Sequence, residues 1–290
     1  MLSKVETRSM HTGSHQSTKL AVAFQGERGA YSEEAALSYF GSKIEFLPCR
    51  TLRMVFEAVE SGRAGVGMVP VENSLEGAVS ETYDLLISSS LSVCGEFNLR
   101  VRHCFITNIG VKIEDVKRVY SHPQALAQCR RFLEKIGADL IPYYDTAGSA
   151  YMLKKDGLKD TAAIASRRAA EIYNLQILAE SIEDSPNNYT RFLVIGKADH
   201  EPTGRDKTSL VFTTKHIPGA LYAALGVFAK RMINLTKIES RPTKQTPWEY
   251  NFFVDLEGHR LDANVSEALE ELKSYTLSIK ILGSYPKAEQ

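Results

Sequence analysis

Net charge is absent from this chain: 35 Lys and Arg balance 35 Asp and Glu over 290 residues, and no local basic cluster appears. Without a positive patch there is no field to hold a nucleic acid or an anionic membrane surface, so neither is expected as a partner. Long apolar runs are missing too. None reaches the roughly 18 residues needed to span a bilayer, and the first 19 residues lack the apolar core of a signal peptide, so a cytoplasmic location is expected. Cysteine is sparse. Cys49, Cys94, Cys104 and Cys129 have no paired zinc-site spacing and are too few for a secreted disulfide framework, so they read as reduced and mostly buried. The glycine-containing loop at residues 26–29 has neither dinucleotide-fingerprint nor P-loop spacing, which argues against a nucleotide. No cofactor and no metal are expected.

What is present is an apolar fraction of 43%, ordinary for a chain that buries a core, in a length that favours two domains. From residue 20 to 196 the sequence repeats a short apolar run, a small polar cluster and a helix-like stretch. That rhythm predicts alternating strand and helix. Residues 20–24 form the first expected strand, with Ser32 as N-cap of the helix that follows. Residues 64–71 lead into Glu72-Asn73-Ser74, residues 117–120 into Ser121-His122-Pro123-Gln124, residues 140–143 into residues 145–149, and residues 162–165 into Ser166. Leu126, Cys129, Phe132, Leu133 and Ile136 recur at the spacing of one amphipathic helix. In open α/β sheets ligands bind beyond the carboxyl ends of the strands, where helix N-termini offer free N–H groups, so the polar clusters should line one cleft. A loop at Pro186 precedes Asn187-Asn188-Tyr189-Thr190-Arg191-Phe192 and a last strand at 193–195.

Residues 1–19 are polar and rich in Ser, Thr and His, and read as a disordered tail, with a weak transit peptide as the alternative. Residues 199–207 read as a linker. Beyond it the pattern changes: a strand at 208–214, a helix opened by Pro218 with Leu221, Tyr222, Leu225, Phe228 and Met232 on one face, strands at 235–240 and 249–256, a helix at 263–273 and a strand at 275–282. The order βαββαβ is the ferredoxin-like unit.

GERGAYSEEAA, VPVENSLEGAV, SHPQALAQC, DTAGSA, AAIAS and NYTRF, in this order, resemble the prephenate dehydratase family over most of residues 20–198, and PGALY and ESRP resemble its regulatory ACT domain. The resemblance implies an α/β fold: a two-lobed, periplasmic-binding-protein-like catalytic domain at 20–198, and a ferredoxin-like ACT domain at 208–290. The chain would cross between lobes near residues 97–103 and return near 187–191. The 19-residue tail is too short for the chorismate mutase fused to some members. The implied activity is a carbon-oxygen lyase reaction of phenylalanine biosynthesis, in which prephenate loses carbon dioxide and its ring hydroxyl to give phenylpyruvate. Feedback by phenylalanine is implied, bound between ACT domains of a homodimer or homotetramer.

That chemistry needs a carboxylate anchor, a donor to the departing hydroxyl and a dry surface around the carboxylate that is lost. Thr190 and Arg191 match the family's TRF motif. The expectation is that the Thr190 hydroxyl meets the leaving oxygen while Arg191 grips a carboxylate in the same crevice, with Phe192 beside them as cleft wall. Asn73, Ser121, Gln124, Thr146, Ser149 and Ser166 are expected to bind substrate; helix capping is the competing reading for Thr146, Ser149 and Ser166. His122, and the backbone N–H groups of Gly29 and Ala30, are further candidates. Gly219, Ala220 and Leu221, with Glu239, Ser240, Arg241 and Pro242, are expected to bind phenylalanine. Tyr222 stands where the family commonly has valine. Two rivals remain: arogenate dehydratase, whose substrate adds an ammonium group, and a sensor that binds amino acids without catalysis.

Overall fold

A computed structural model describes residues 19–244 and 246–288, so the tail expected at residues 1–19 lies, but for Lys19, outside the described residues. Three sheets organise the chain. The first combines β1 (Leu20–Gln25), β2 (Ile44–Cys49), β3 (Val66–Asn73), the short β4 (Gly77–Ala78), β5 (Ser92–Arg100) and β11 (Tyr189–Gly196) in the order β2-β1-β3-β11-β5, with β4 on β3. Helices α1 (Tyr31–Phe40), α2 (Leu52–Glu60) and α3 (Ser80–Ser88) connect its strands. β1 is parallel to both neighbours and its Val22, Ala23 and Phe24 are fully buried, as an apolar run covered on both faces must be.

The second sheet holds β6 (Cys104–Thr107), β7 (Arg118–Ser121), β8 (Asp139–Pro142), β9 (Thr161–Ala165) and β10 (Gln176–Glu180) in the order β10-β6-β9-β7-β8. Its helices are α4 (Pro123–Gln128), α5 (Arg130–Ile136), α6 (Thr146–Asp156) and α7 (Arg167–Ile172). The chain enters this lobe through residues 101–103 and leaves through 181–188. The two crossings run side by side, Val101 N donating to Asn188 O at 2.8 Å and Ile182 N to His103 O at 3.1 Å. β11 therefore follows directly from the return crossing.

The third sheet is the expected βαββαβ unit: β12 (Asp206–Thr213), α8 (Ala220–Lys230), β13 (Leu235–Pro242), β14 (Tyr250–Glu257), α9 (Ala263–Leu272) and β15 (Ser278–Pro286), in antiparallel order β13-β14-β12-β15. Leu210, Phe212, Val254 and Leu256 pack beneath the two helices. The opposite face carries Val211, Phe253, Leu282 and Tyr285, which join the core of the first lobe with Tyr83, Leu86, Val93 and Leu193. At this seam a Cβ on Gly283, where φ is +151°, would stand 2.1 Å from Val93 O, so only glycine lets the two backbones approach.

Local expectations fail where packing outweighs pattern. The N-cap of α1 is Ala30, and Ser32 is the second residue of the helix. The helix expected across Leu126 to Ile136 breaks at Cys129 into α4 and α5. α8 ends at Lys230, so Met232 lies beyond it and is 91% exposed, while within the helix Tyr222 is 83% exposed and Leu221, Leu225 and Phe228 turn to the core.

The two lobes share buried surface. Val22, Phe24, Ala35 and Ala36 of the first form one cluster with Ala147, Leu153, Ala163 and Ala169 of the second. A Cβ on Gly29 would stand 2.6 Å from the Ala169 Cα, and Glu33, wholly buried, meets Arg168 at 2.9 Å.

Candidate active site

The crevice has a volume of about 370 Å³, and Thr190 and Phe192 line it with Asn73, Gln124 and Thr146. Three helices begin at its rim, since Ser32 of α1, Gln124 of α4 and Thr146 of α6 all face it. Their N-terminal N–H groups carry partial positive charge. None of the described residues lining the crevice is Lys or Arg. Pro70, Ala78, Val79, Val101 and Phe192 supply an apolar wall.

Arg191 is not in this crevice, which overturns its expected partnership with Thr190. Both lie in β11, and neighbouring side chains of a strand point to opposite faces. Thr190 and Phe192 face the crevice, while Arg191, Leu193 and Ile195 face the third sheet. The Arg191 guanidinium donates to Glu96 Oε2 at 2.9 Å, Asp255 Oδ2 at 2.5 Å and the Tyr285 hydroxyl at 3.0 Å. Burial works against its charge, but Asp255, Tyr285 and Glu96 more than offset that and hold its pKa above the ordinary arginine range. No substrate can reach a group so placed.

Asn73 reaches the crevice with its hydrogen-bonding groups already engaged. Its Nδ2 donates to Thr190 Oγ1 at 3.0 Å, Asn188 Oδ1 at 2.9 Å and Tyr189 O at 3.1 Å. Its Oδ1 accepts from the backbone N–H groups of Leu75 and Glu76. With a lone pair of Thr190 Oγ1 taken by Asn73, the threonine O–H can turn into the crevice.

Ser121, Ser149 and Ser166 are buried and do not line the crevice, contrary to expectation. Ser121 Oγ donates to Ile164 O at 2.7 Å, and Ser149 Oγ to Asp145 O one helical turn back. Ser166 caps α7, accepting from Ala169 N at 3.0 Å while donating to Gly29 O at 2.6 Å across the lobes. α6 is capped by Asp145, which frees Thr146 to face the crevice. His122 both lines the crevice and accepts from Gln124 N as the cap of α4. The N–H groups of Gly29 and Ala30 are taken by Glu33 and by Glu27 O.

Residues not expected at the site complete it: Tyr31, Ser32, Glu76 and Gln128, which lie within the quoted motifs, and Gln25 and His103, which lie outside them. Gln128 follows Gln124 by one helical turn, a spacing that places both on one face. His103 and Tyr31 offer no such signal, being 72 residues apart. The His103 ring joins the Tyr31 hydroxyl at 2.7 Å through Nδ1 and Gln128 Oε1 at 3.0 Å through Nε2. Burial lowers the His103 pKa, which favours the neutral ring. Gln128 Oε1 can only accept, so the neutral His103 donates from Nε2 and at Nδ1 accepts a hydrogen bond from the Tyr31 hydroxyl, which also lies 3.0 Å from Arg102 O. Asn188 Nδ2 also donates to Gln128 Oε1, at 2.8 Å, and so links this chain to Asn73 and Thr190.

In the third sheet's domain, Gly219 and Ala220 line a second cavity, of about 350 Å³, with Lys215, Ile217, Tyr275 and Thr276. Leu221 turns to the domain core instead. None of Glu239, Ser240, Arg241 and Pro242 lines that cavity within one chain. They lie on β13, the edge strand, where Ser240 and Pro242 are exposed, and Arg241 donates to Ser80 Oγ of the first lobe at 2.6 Å.

The prephenate dehydratase family model matches residues 22–200, and that of the ACT domain residues 208–274. A bifunctional chorismate mutase/prephenate dehydratase of Aquifex aeolicus is 48% identical over 272 residues, 93% of this chain and 74% of that protein. Arogenate dehydratase/prephenate dehydratase 2, chloroplastic, of Arabidopsis thaliana is 44% identical over 97% of this chain and 75% of its own length. Among solved structures, prephenate dehydratase in complex with L-Phe from Arthrobacter aurescens shares 35% identity at a TM-score of 0.85, covering 92% of this chain and 90% of that one. GqqA, described as a quorum quenching acylase, shares 38% identity at a TM-score of 0.86, covering 92% of this chain and 97% of its own.

Proposed function

This chain belongs to the prephenate dehydratase family, and on that premise we propose that its crevice converts prephenate to phenylpyruvate under control of phenylalanine bound to the ACT domain. The electron pair of the breaking bond to the ring carboxylate becomes part of the aromatic ring as carbon dioxide departs. The ring hydroxyl leaves with its own pair and takes a proton to become water. One observation carries the reading: Thr190 Oγ1 is held by Asn73 at the floor of a crevice rimmed by helix N-termini and amides. The Thr190 O–H donates to the departing oxygen, and Asn73 is a positioning residue behind it. Ser32, Gln124, Thr146 and the helix starts anchor the pyruvyl carboxylate through N–H and O–H groups. The apolar wall around Val79, Val101 and Phe192 leaves the ring carboxylate poorly solvated, which favours its loss.

Glu76 favours a second reading, because a carboxylate on the crevice wall suits the ammonium of arogenate. Assaying both substrates side by side tests the two: phenylpyruvate formed from prephenate supports the first, and turnover of arogenate alone overturns it. The effector reading draws on the cavity at Gly219 and Ala220. Because residues 239–242 lie elsewhere in the chain, phenylalanine would meet both motifs only where two ACT domains pair, in a homodimer or homotetramer.

A further inference from the structure

Thr190 pairs with Asn73, and Arg191 with Glu72, on neighbouring strands β11 and β3. Strand alternation sends the first pair into the crevice and the second toward the ACT sheet. There Lys237 of β13 and Asp255 of β14 are register partners of each other. Lys237 Nζ meets Glu72 Oε2 at 2.8 Å, and Asp255 Oδ2 meets Arg191 Nη1 at 2.5 Å. Two residues of the ACT sheet thus hold the immediate chain neighbours of the two residues that set the catalytic hydroxyl. The β11–β3 ladder shifts register directly after Arg191, an irregularity of the kind that re-aims side chains beside active sites. On the other side, Lys237 lies two residues before Glu239, on the strand that carries residues 239–242.

We propose that the Glu72–Lys237 and Arg191–Asp255 ion pairs form the coupling through which the ACT domain sets the position of Asn73 and Thr190. All four are positioning residues. The proposal rests on the function inferred above and adds the route by which an effector reaches the crevice. A twist of β13 against β14 moves Lys237 relative to Asp255, and hence β3 relative to β11, without passing through the shared core of the two lobes.

Charge reversal in the full-length protein tests it, using Glu72→Lys, Lys237→Glu and the double variant. Prephenate turnover is measured with and without phenylalanine, and phenylalanine binding is followed by thermal shift. A coupled effector typically changes its partner site by about 5- to 150-fold. In each single variant that factor should fall to within about twofold of one while the phenylalanine-induced thermal shift persists. Restoring the opposite charges in the double variant should recover it. Single variants that respond like the wild type, or a double variant that stays uncoupled, overturn the proposal. Should a reversal fail to fold, Glu72→Gln removes the charge more gently and is read by the same criterion. A wild-type protein that does not turn over prephenate overturns the underlying function as well, and that control is read before any variant.

Discussion

The two faces of β11 carry neighbouring residues under opposite conditions. On one, Thr190 presents a neutral hydroxyl to an open crevice, held by a single amide; on the other, Arg191 is enclosed by two carboxylates and a tyrosine hydroxyl. A neutral donor costs little to leave waiting for a ligand, whereas a guanidinium removed from water needs its partners permanently in place. The motif that joins them therefore gives one residue to the crevice and the next to the contact with the third sheet.

Arg191→Met should break the comparison most severely on the stability side. It leaves Asp255 without its cation and Glu96 with Lys207 alone, a loss of about 3–5 kcal/mol that urea unfolding would reveal. Unchanged stability with collapsed turnover would instead return Arg191 to the crevice. Thr190→Val should do the reverse, lowering kcat about 100- to 1000-fold, or about 2.7–4 kcal/mol in the barrier, with the phenylalanine-induced thermal shift intact. A variant that turns over normally removes Thr190 from the mechanism. Gly283→Ala tests the docking seam alone: its Cβ meets Val93 O, so the thermal midpoint should drop by the equivalent of about 1–3 kcal/mol, and an unshifted midpoint would contradict so close an approach.

Smaller effects sharpen the distinction between support and contact. Ser166→Ala removes a helix cap, so stability should fall by about 1 kcal/mol with KM nearly unchanged, whereas a tenfold rise in KM would restore its expected role in binding substrate. His103→Gln concerns pH. Burial lowers the folded-state pKa of His103 below its ordinary 6.5, so the unfolded chain binds the proton more readily. The stability His103 contributes is therefore fully present above about pH 6.5 and lost as pH falls toward its folded pKa. Urea midpoints at pH 7.5 and 5.0 should show the gap between wild type and variant shrinking on acidification; a constant gap would contradict a buried neutral ring.

Much of the fold was readable because burial leaves periodic traces. The apolar runs of β1, β3 and β9 and the βαββαβ rhythm marked the strands that position the site. Thr190, Gln124 and Thr146 were legible at strand ends or helix starts, where topology delivers polar groups to a common rim. Arg191 was misplaced because residues 187–192 read as a loop entering a strand at 193, whereas β11 begins at Tyr189. Once those residues are extended, alternation alone forbids Thr190 and Arg191 from sharing a crevice. Ser121, Ser149 and Ser166 look identical in sequence whether they cap, brace or bind, and only their partners distinguish these roles.

Local chain chemistry by itself determined the strand and helix pattern, the division into two modules and the neutral donors at the helix starts, because those depend on neighbours a few residues apart. Tertiary structure alone decided that His103 bridges Tyr31 and Gln128, that Asn73 steadies Thr190, and that Arg191 answers to Asp255. Each of those contacts joins segments far apart along the chain, and no local periodicity records which distant partner will satisfy a buried polar group.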